Sequence, residues 1–342
     1  MIFWYELKKI LSMAVIWGFV ALCVVFNIWQ MPTGLNRDLD TTTRFSENVF
    51  AGLDTSDIAQ SYLLFFGLEG RVAERMRAKF DALQAPVGER ALSGDSYTPY
   101  FGEHTYKMHL SLFHSLGVLG ILLLQGILAA VLIALLSVGY EQANHTEPSV
   151  YATKTGRHLV SYKITASVVS AIVLYAMLVA VTLFVYFRLF DFSDVWGSSV
   201  SSGFNAMNSI VDRPFTTWRG FTVATYLWAS LGVSVGIVVC FSLMGAAIGL
   251  LAKNSYVGFL AVLFLNACLI VTPLMIPRHF YAHFIALHSP VYLWLNSGLW
   301  FTDGSLITLW RHFELWGLGI SLGILAGCCI LAVKKFEERN IV

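Results

Sequence analysis

The segment 139–163, GYEQANHTEPSVYATKTGRHLVSYK, is a polar interruption between two long apolar stretches of the chain. Pro148 ends any helix that leaves the membrane, because its ring removes a backbone donor and disfavours helix at the preceding residue. Residues 149–161 then predict a short amphipathic helix. Its apolar positions are Val150, Tyr151 and Leu159, and its polar positions are Lys154, Arg157 and His158. Either this loop receives force from a partner protein, or it is a solvated basic loop that only fixes topology.

Composition defines the class of protein. Of the 342 residues, 57% are apolar and 13% are charged, whereas soluble proteins carry roughly 25% charged residues. The chain is therefore predicted to be an all-α integral membrane protein. Its net charge of +1 gives no reason to expect a nucleic-acid partner. The cysteines lie in apolar segments and imply no disulfide framework; they are Cys23, Cys240, Cys268, Cys328 and Cys329.

Six apolar segments are long enough to cross a bilayer, which takes about 20 residues. They cover residues 11–30, 112–138, 164–187, 221–251, 256–277 and 314–333. Six crossings place both termini on the same side. Cations gather on that side, as the positive-inside rule expects for the cytoplasm. Besides those of the loop they are Lys8, Lys9, Lys253, Lys334, Lys335 and Arg339.

The residues before the first crossing have the pattern of an amphipathic helix. In residues 1–12, Phe3 and Leu7 share one helical face, while Glu6 and Lys9 lie opposite. A helix of this kind lies in the plane of the membrane surface. Residues 1–30 are therefore predicted to form a flat helix followed by the first crossing.

Polarity sets the remaining boundaries. Residues 31–110 predict a small helical domain outside the membrane, with a helix over 69–84 that Pro86 terminates. Residues 111–277 contain the next four crossings and the cytosolic loop. Residues 278–313 are rich in tryptophan and tyrosine and predict an interfacial or re-entrant helical hairpin. Residues 314–342 form the last crossing and a cytosolic tail.

Small and polar residues within the crossings suggest how the helices pack. Glycines at every fourth position let helix backbones approach closely in lipid. They predict packing seams within the subunit or a subunit interface, at Gly232, Gly236, Gly245, Gly249, Gly319, Gly323 and Gly327. Gln125 and Asn266 are each predicted to make an interhelical hydrogen bond or, alternatively, to line a transport pathway.

The motifs of an enzyme are missing from the sequence. No GxxxxGK[ST] phosphate-binding loop occurs, and the crossings contain almost no acids, which disfavours a proton-coupled transporter. His279 and His283 lie four residues apart but lack the glutamate of a HExxH motif, so no metal site is predicted. We expect no catalytic or cofactor-binding residue, and the energy for any transport must come from another chain.

In layout the chain resembles the permease subunit of an ABC-2 type ABC transporter, and particularly the bacterial permeases that export antimicrobial or toxin-like peptides or confer immunity to them. The shared features are the amphipathic start YELKKIL, an ectodomain after one crossing, a second crossing that runs into Glu141, and an aromatic hairpin before the last crossing. The sharpest local similarity is Lys154-Thr155-Gly156-Arg157 followed by Lys163, which is similar to the coupling helix of such permeases.

This resemblance implies a function and a set of partners. The coupling region would contain Glu141, Lys154, Gly156, Arg157 and Lys163, and the first helix would be the elbow helix of the family. A separate ATPase subunit would bind ATP and magnesium, and the permease would pair with a second copy or a paralogue in the bacterial cytoplasmic membrane. The complex would export an amphipathic peptide or a lipid-like substrate. The alternative is a membrane sensor or scaffold whose ectodomain binds a ligand and signals to a cytosolic partner.

Overall fold

The computed structural model describes residues 2–34, 48, 50–93, 112–151, 156, 158–190, 196–201, 206–207, 213–252 and 254–338. Regular structure in these ranges is helical, apart from short strand contacts such as the antiparallel pair β1 (Ala206–Met207) and β2 (Arg213–Pro214). In chain order the helices are α1 (Ile2–Leu11), α2 (Ala14–Gly34), α3 (Thr55–Phe66), α4 (Gly70–Ser93), α5 (Val118–Val138), α6 (Tyr140–Ala143), α7 (Glu147–Tyr151), α8 (Leu159–Leu189), α9 (Val223–Leu251), α10 (Ser255–Met275), α11 (Tyr281–Ala286), α12 (Pro290–Leu295) and α13 (Phe313–Glu337).

Six helices of the described chain are long and apolar enough to cross a membrane, as the sequence predicted. They are α2, α5, α8, α9, α10 and α13. The fold is thus that of a multi-pass helical membrane protein. We call the end that carries α1, the segment 139–163 and the C-terminus of α13 the loop end, and the opposite end, which carries α3 and α4, the cap end.

The third membrane helix begins earlier than the sequence predicted. Helix α8 starts at Leu159, so residues 159–161 belong to it and not to a separate amphipathic helix over 149–161. The reason is packing, because Val160 is 1% exposed and lies in an apolar cluster with Ala246 and Ala332 of two other membrane helices. The end of the expected loop helix is therefore part of the bundle.

Helices α5 and α9 form the centre of the bundle, and the other membrane helices surround them. In α5 and α9, 72% and 61% of the span is buried, against 28% in α2, 17% in α10 and 22% in α13. Small residues allow the close central contacts, since a Cβ at Gly126 would lie 2.4 Å from the Tyr175 ring. The three peripheral helices leave most of their side chains exposed on the outside of the bundle.

The glycines of the predicted seams fall into two groups. A Cβ on Gly236 would lie 2.5 Å from Leu318 of α13, and Cβ atoms on Gly245 and Gly249 would lie 3.1 Å and 3.2 Å from side chains of α5. These positions hold α9 against its neighbours. A Cβ on any of the remaining four would meet no described atom within 4 Å, namely on Gly232, Gly319, Gly323 and Gly327.

A buried amide network joins three membrane helices. Asn27 of α2 donates to the side-chain oxygens of Gln125 (2.9 Å) and Thr182 (3.0 Å), and Gln125 donates back to Asn27 (2.6 Å). Gln125 is thereby engaged between α2, α5 and α8. Asn266 of α10 donates to the Val262 carbonyl of its own helix and lies 3.4 Å from the sulfur of Met244 on α9.

Helices α3 and α4 form a helical hairpin, which we call the cap. The predicted stop at Pro86 is wrong, because α4 continues through it to Ser93. Proline removes one backbone hydrogen bond of the helix, but Val87 and Arg90 beyond it are buried and hold the last turns in place. The hydroxyl of Thr55, at the start of α3, also donates to the Phe80 carbonyl of α4 (2.7 Å).

Two buried cations of α4 tie the cap to the loops of the bundle. The Lys79 ammonium donates to the carbonyl oxygens of Asp303 (3.2 Å), Ser305 (2.6 Å) and Thr308 (2.9 Å). Arg90 donates to the Thr217 hydroxyl (2.9 Å) and to the Arg219 carbonyl (2.8 Å). The cap is therefore docked on the bundle and is not a domain on a free linker.

The region 278–313 contains the short helices α11 and α12 and a 3₁₀ turn over Ser297–Leu299. His283 lies with its Nδ1 2.9 Å from the Pro273 carbonyl and 3.0 Å from the Ile276 carbonyl, so it caps the end of α10. Its neighbour in the sequence pattern, His279, is exposed. Backbone capping thus accounts for the position of His283.

We expect Lys79→Met to loosen the cap. The substitution leaves three carbonyl oxygens without their charged donor, and hydrogen bonds to charged groups contribute about 1.5–3 kcal/mol. The midpoint of thermal unfolding in detergent should fall, and a protease should cleave the cap faster. The exposed Arg77 on the same helix provides the matched control, Arg77→Met. Equal behaviour of the two variants would contradict the docking role.

The amide network should behave as a coupled unit. The single substitutions Asn27→Ala and Gln125→Leu each remove one amide and should each lower the free energy of unfolding by about 1–2 kcal/mol, because the remaining group is left buried without its partner. The double variant should lower the free energy of unfolding only slightly more than either single variant does. A double-mutant cycle of unfolding in mixed micelles measures this coupling, and strictly additive losses would show that the two amides act independently.

Candidate functional site

The strongest concentration of buried charge in the described chain lies at the loop end. Helix α5 ends at Val138, and the chain then forms the short helices α6 and α7 before it re-enters the bundle as α8. His145, between α6 and α7, has a φ of 55°, in the left-handed region. Glu141 of α6 is 6% exposed and contacts side chains of α1 and α8.

Glu141 is the central group of a four-residue charge cluster. One carboxylate oxygen contacts the ammonium of Lys163 on α8, and the other lies 3.2 Å from the ammonium of Lys9 on α1. Lys9 also pairs with Glu6 at 2.5 Å. Formal charges therefore alternate in sign along Glu6, Lys9, Glu141 and Lys163, and their sum is zero.

The cluster is almost completely shielded from solvent. Lys163 is 0% exposed and Glu6 is 3% exposed, and the side chain of Lys9 is 10% exposed. Removing charges from water costs several kcal/mol per ion, which their mutual attraction offsets only with good geometry. The arrangement therefore contributes little net stability, but it makes any displacement that separates the charges costly. Such a cluster fixes the relative position of α1, α6 and α8.

The structure corrects the expected orientation of α1. Glu6 and Lys9 were predicted to lie on a water-facing side, but both point into the protein next to the buried Ile10. The aromatic residues Trp4 and Tyr5 are 68% and 70% exposed. The physical reason is that the charges of α1 find complementary charges on α6 and α8, whereas its aromatic side is left for the membrane.

The structure brings together part of the predicted coupling set. Glu141 and Lys163 form a direct ion pair, and the buried Gly156 accepts a backbone hydrogen bond from Leu159 (3.3 Å) at the start of α8. Lys154 and Arg157 lie outside the described residues. His158 approaches Glu337 at the end of α13 (3.5 Å), which places the C-terminus of the last membrane helix beside the loop.

Sequence reasoning missed two members of the cluster. Both Glu6 and Lys9 were assigned to the solvated face of α1, and Lys9 was also interpreted as a topological charge. The i,i+3 spacing of these two residues is a signal for an ion pair on one helix. Nothing in the sequence links either residue to Glu141, which lies 132 positions after Lys9.

Comparisons with family models, with curated proteins and with solved structures gave no match to this chain. Within the part that the structure describes, no group of three or more His, Cys, Asp or Glu side chains is arranged to hold a metal ion. The ion pairs couple the positions of three helices, because a movement of α6 must be followed by α1 and α8 or must break buried ion pairs.

We expect charge balance, more than any single ion pair, to keep the cluster folded. Lys163→Met leaves Glu141 with an incomplete set of partners and should lower the free energy of unfolding by about 3–5 kcal/mol. The double variant Lys163→Met/Glu141→Leu restores neutrality, because Glu6 and Lys9 remain paired, and should recover most of this loss. Unfolding midpoints in detergent measure the effect. Lys8→Met, at an exposed neighbouring position, is the control, and a double variant no more stable than the single one would refute the interpretation.

Proposed function

We propose that the chain is the permease subunit of an ABC exporter of the ABC-2 type. The observation that carries the proposal is the buried charge cluster, which connects the 139–163 loop to α1 and α8. A permease without its own ATPase needs a surface that receives force and a rigid connection that passes it to the membrane helices. The loop and the cluster supply these two parts.

The two sides of the loop differ in a way that suits this role. Its inner side is anchored by Glu141, whereas its outer side is exposed and is free to contact a partner. The exposed residues include Ala143, Asn144, His145, Thr146, Pro148 and Ser149. A separate ATPase subunit, carrying ATP and magnesium, would dock on this side. Approach of two ATPase subunits would then push α6 and α7, and the charge cluster would transmit the displacement to α1 and α8.

The remaining architecture is consistent with a permease in a bacterial cytoplasmic membrane. Under this proposal the loop end faces the cytosol, the cap end faces outward, and α1 is the elbow helix. The region 278–313 acts as the outer interfacial hairpin. The exposed sides of α2, α10 and α13 leave room for a second permease copy or a paralogue. The cargo would be an amphipathic peptide or a lipid-like molecule.

The outer side of the loop offers the sharpest test, because its residues take no part in the charge cluster. Asn144→Trp or Ser149→Trp should leave the unfolding midpoint unchanged and should abolish stimulation of the partner ATPase by the permease. The wild-type complex would be reconstituted in proteoliposomes, and ATP hydrolysis and export would be measured together. Arg157→Ala should likewise uncouple hydrolysis from export.

A matched control is available at the other end of the bundle. Glu74→Trp, at an exposed cap position, should leave both hydrolysis and export unaffected. Full transport by the isolated chain without an ATP-hydrolysing companion would refute the proposal. So would normal coupling in both tryptophan variants of the loop.

A sensor function is the second candidate, and the docked cap favours it. Lys79 and Arg90 connect the cap directly to loops between membrane helices, so a ligand that moved the cap would also move the bundle. Deletion of residues 36–106 distinguishes the two functions. A sensor should lose its ligand response entirely, whereas a permease should keep ligand-independent stimulation of its ATPase.

A further inference from the structure

The two helices of the cap expose large apolar side chains at two places. Leu64 and Phe65 lie at the C-terminus of α3, and Leu92 lies at the end of α4. Leu64 is 76% exposed and Phe65 is 68% exposed, whereas Tyr62 and Leu63 just before them are buried in the core of the cap. Helix α3 thus ends in two apolar pairs, of which one faces inward and the other faces outward.

The turn between α3 and α4 places the outward pair at the end of the hairpin. Gly67 has a φ of 59°, and its backbone N–H donates to the Leu63 carbonyl, which ends α3. Gly70 has a φ of 60° at the start of α4. Both backbone conformations favour glycine and make the turn tight. We call residues 64–71 the cap tip.

The cap tip is attached to the segment that follows α10. The Arg278 guanidinium carbon lies 4.8 Å from the centre of the Phe66 ring, and the ring centres of Phe65 and Phe66 are 4.9 Å apart. The Tyr281 hydroxyl, at the start of α11, donates to the Arg71 carbonyl (3.1 Å). Both ends of the cap tip are therefore held within a few residues of the C-terminus of α10.

The length of α10 indicates where its C-terminus lies in the bilayer. Its 21 residues correspond to about 31 Å at 1.5 Å per residue, close to the roughly 30 Å thickness of the hydrocarbon core. Its last turn therefore lies at the boundary between acyl chains and headgroups. Leu274 and Met275 of this turn are 73% and 75% exposed, and Phe280 just beyond it is 53% exposed. The outer apolar surface of α10 thus continues to the point where the cap tip is attached.

The rim of the cap tip carries charge. Arg71 and Arg278 are exposed, and so is Glu69 in the turn. Arginine can lay its apolar stem on a hydrophobic surface while its guanidinium stays in a polar environment. A guanidinium also binds phosphate oxygens through paired hydrogen bonds. Because one acid accompanies the two arginines, the rim suits a zwitterionic headgroup and does not require an anionic lipid.

A bilayer explains this combination better than a protein partner does. A stable protein interface buries about 800 Å² on each partner, whereas the cap tip adds only two large exposed apolar side chains to the surface of α10. An element that lies in the membrane interface needs an apolar edge that enters by about 5–10 Å and a polar rim that stays among the headgroups. The cap tip has both.

We propose that the cap tip is a second membrane contact of this protein, inserted into the interface of the leaflet at the cap end. Leu64 and Phe65 contact the acyl chains of glycerophospholipids, and Arg71 and Arg278 lie at the level of the phosphates. The bilayer then holds the cap in addition to its two buried cations. This inference goes beyond the proposed function and does not depend on it, because the contact is the same in a permease and in a sensor.

The depth of the cap tip can be measured with a nitroxide spin label on the full-length chain, with one copy in each phosphatidylcholine nanodisc. Phe65→Cys carries the label, in a background in which the exposed Cys268 and Cys328 are replaced by alanine. Ala78→Cys is the matched control, because Ala78 is exposed on α4 and lies about 200° around the helix from the buried Met76. Collisions with oxygen report an apolar environment, and collisions with a water-soluble nickel chelate report water.

The ratio of oxygen to nickel accessibility should be at least about tenfold higher at Phe65→Cys than at Ala78→Cys, because transfer of a polar chelate into an apolar phase is unfavourable. Leu64→Cys, at the other exposed position, should give the same result. Equal ratios at the cap tip and at the control would overturn the proposal, since the cap tip would then lie in water. Low accessibility to both probes would overturn it in favour of a protein segment that covers the cap tip.

A second comparison uses the same chemical change at two places on the cap. Leu64→Asp should lower the accessibility ratio of the Phe65→Cys label about fivefold, because a carboxylate disfavours insertion of the cap tip. Leu92→Asp, at an equally apolar exposed position about 33 Å along α4 from its start, should leave the ratio unchanged. A ratio that neither aspartate alters would refute insertion of the cap tip.

Discussion

A polar group inside a membrane bundle must find its hydrogen-bond or ionic partner within the protein, since hydrocarbon offers none. This constraint determines how the present fold is held together. Apolar contacts between α5, α8 and α9 fill the interior, and small residues such as Gly126 let these helices approach closely. Specific polar contacts occur in three places: the Glu141 cluster at the loop end, the Asn27 amide network between α2, α5 and α8, and Lys79 and Arg90 at the cap end.

These three groups of contacts join different elements. The charge cluster joins α1, α6 and α8, the amide network joins α2, α5 and α8, and the two cations join α4 to distant loops. Helices α10 and α13 take part in none of them. They pack on α9 through apolar contacts and through the glycine contact of Gly236 with Leu318. The bundle thus has a half that these three groups cross-link and a half joined by apolar packing and by single polar contacts, such as the Ser255 hydroxyl of α10 that donates to the Leu135 carbonyl of α5 (3.1 Å).

Much of the fold can be predicted from the sequence, because crossing a bilayer requires about 20 apolar residues and this requirement is local. All six membrane helices follow from it. Features that depend on distant partners cannot be predicted in this way. The burial of Glu6 and Lys9 depends on the ion pair of Lys9 with Glu141, and the early start of α8 depends on the packing around Val160. The prediction that the helix ends at Pro86 was wrong for the same reason, because buried residues beyond Pro86 keep α4 helical.

The Asn27 network also has a consequence for the synthesis of the protein. Asn27 is made 98 residues before Gln125 and 155 residues before Thr182. The first membrane helix therefore leaves the ribosome, and enters the lipid bilayer, before either partner of its amide exists. Until α5 and α8 arrive, this amide has to be accommodated by water, by headgroups or by the insertion machinery. Release of α2 into the bundle is thereby linked to translation of the third membrane segment.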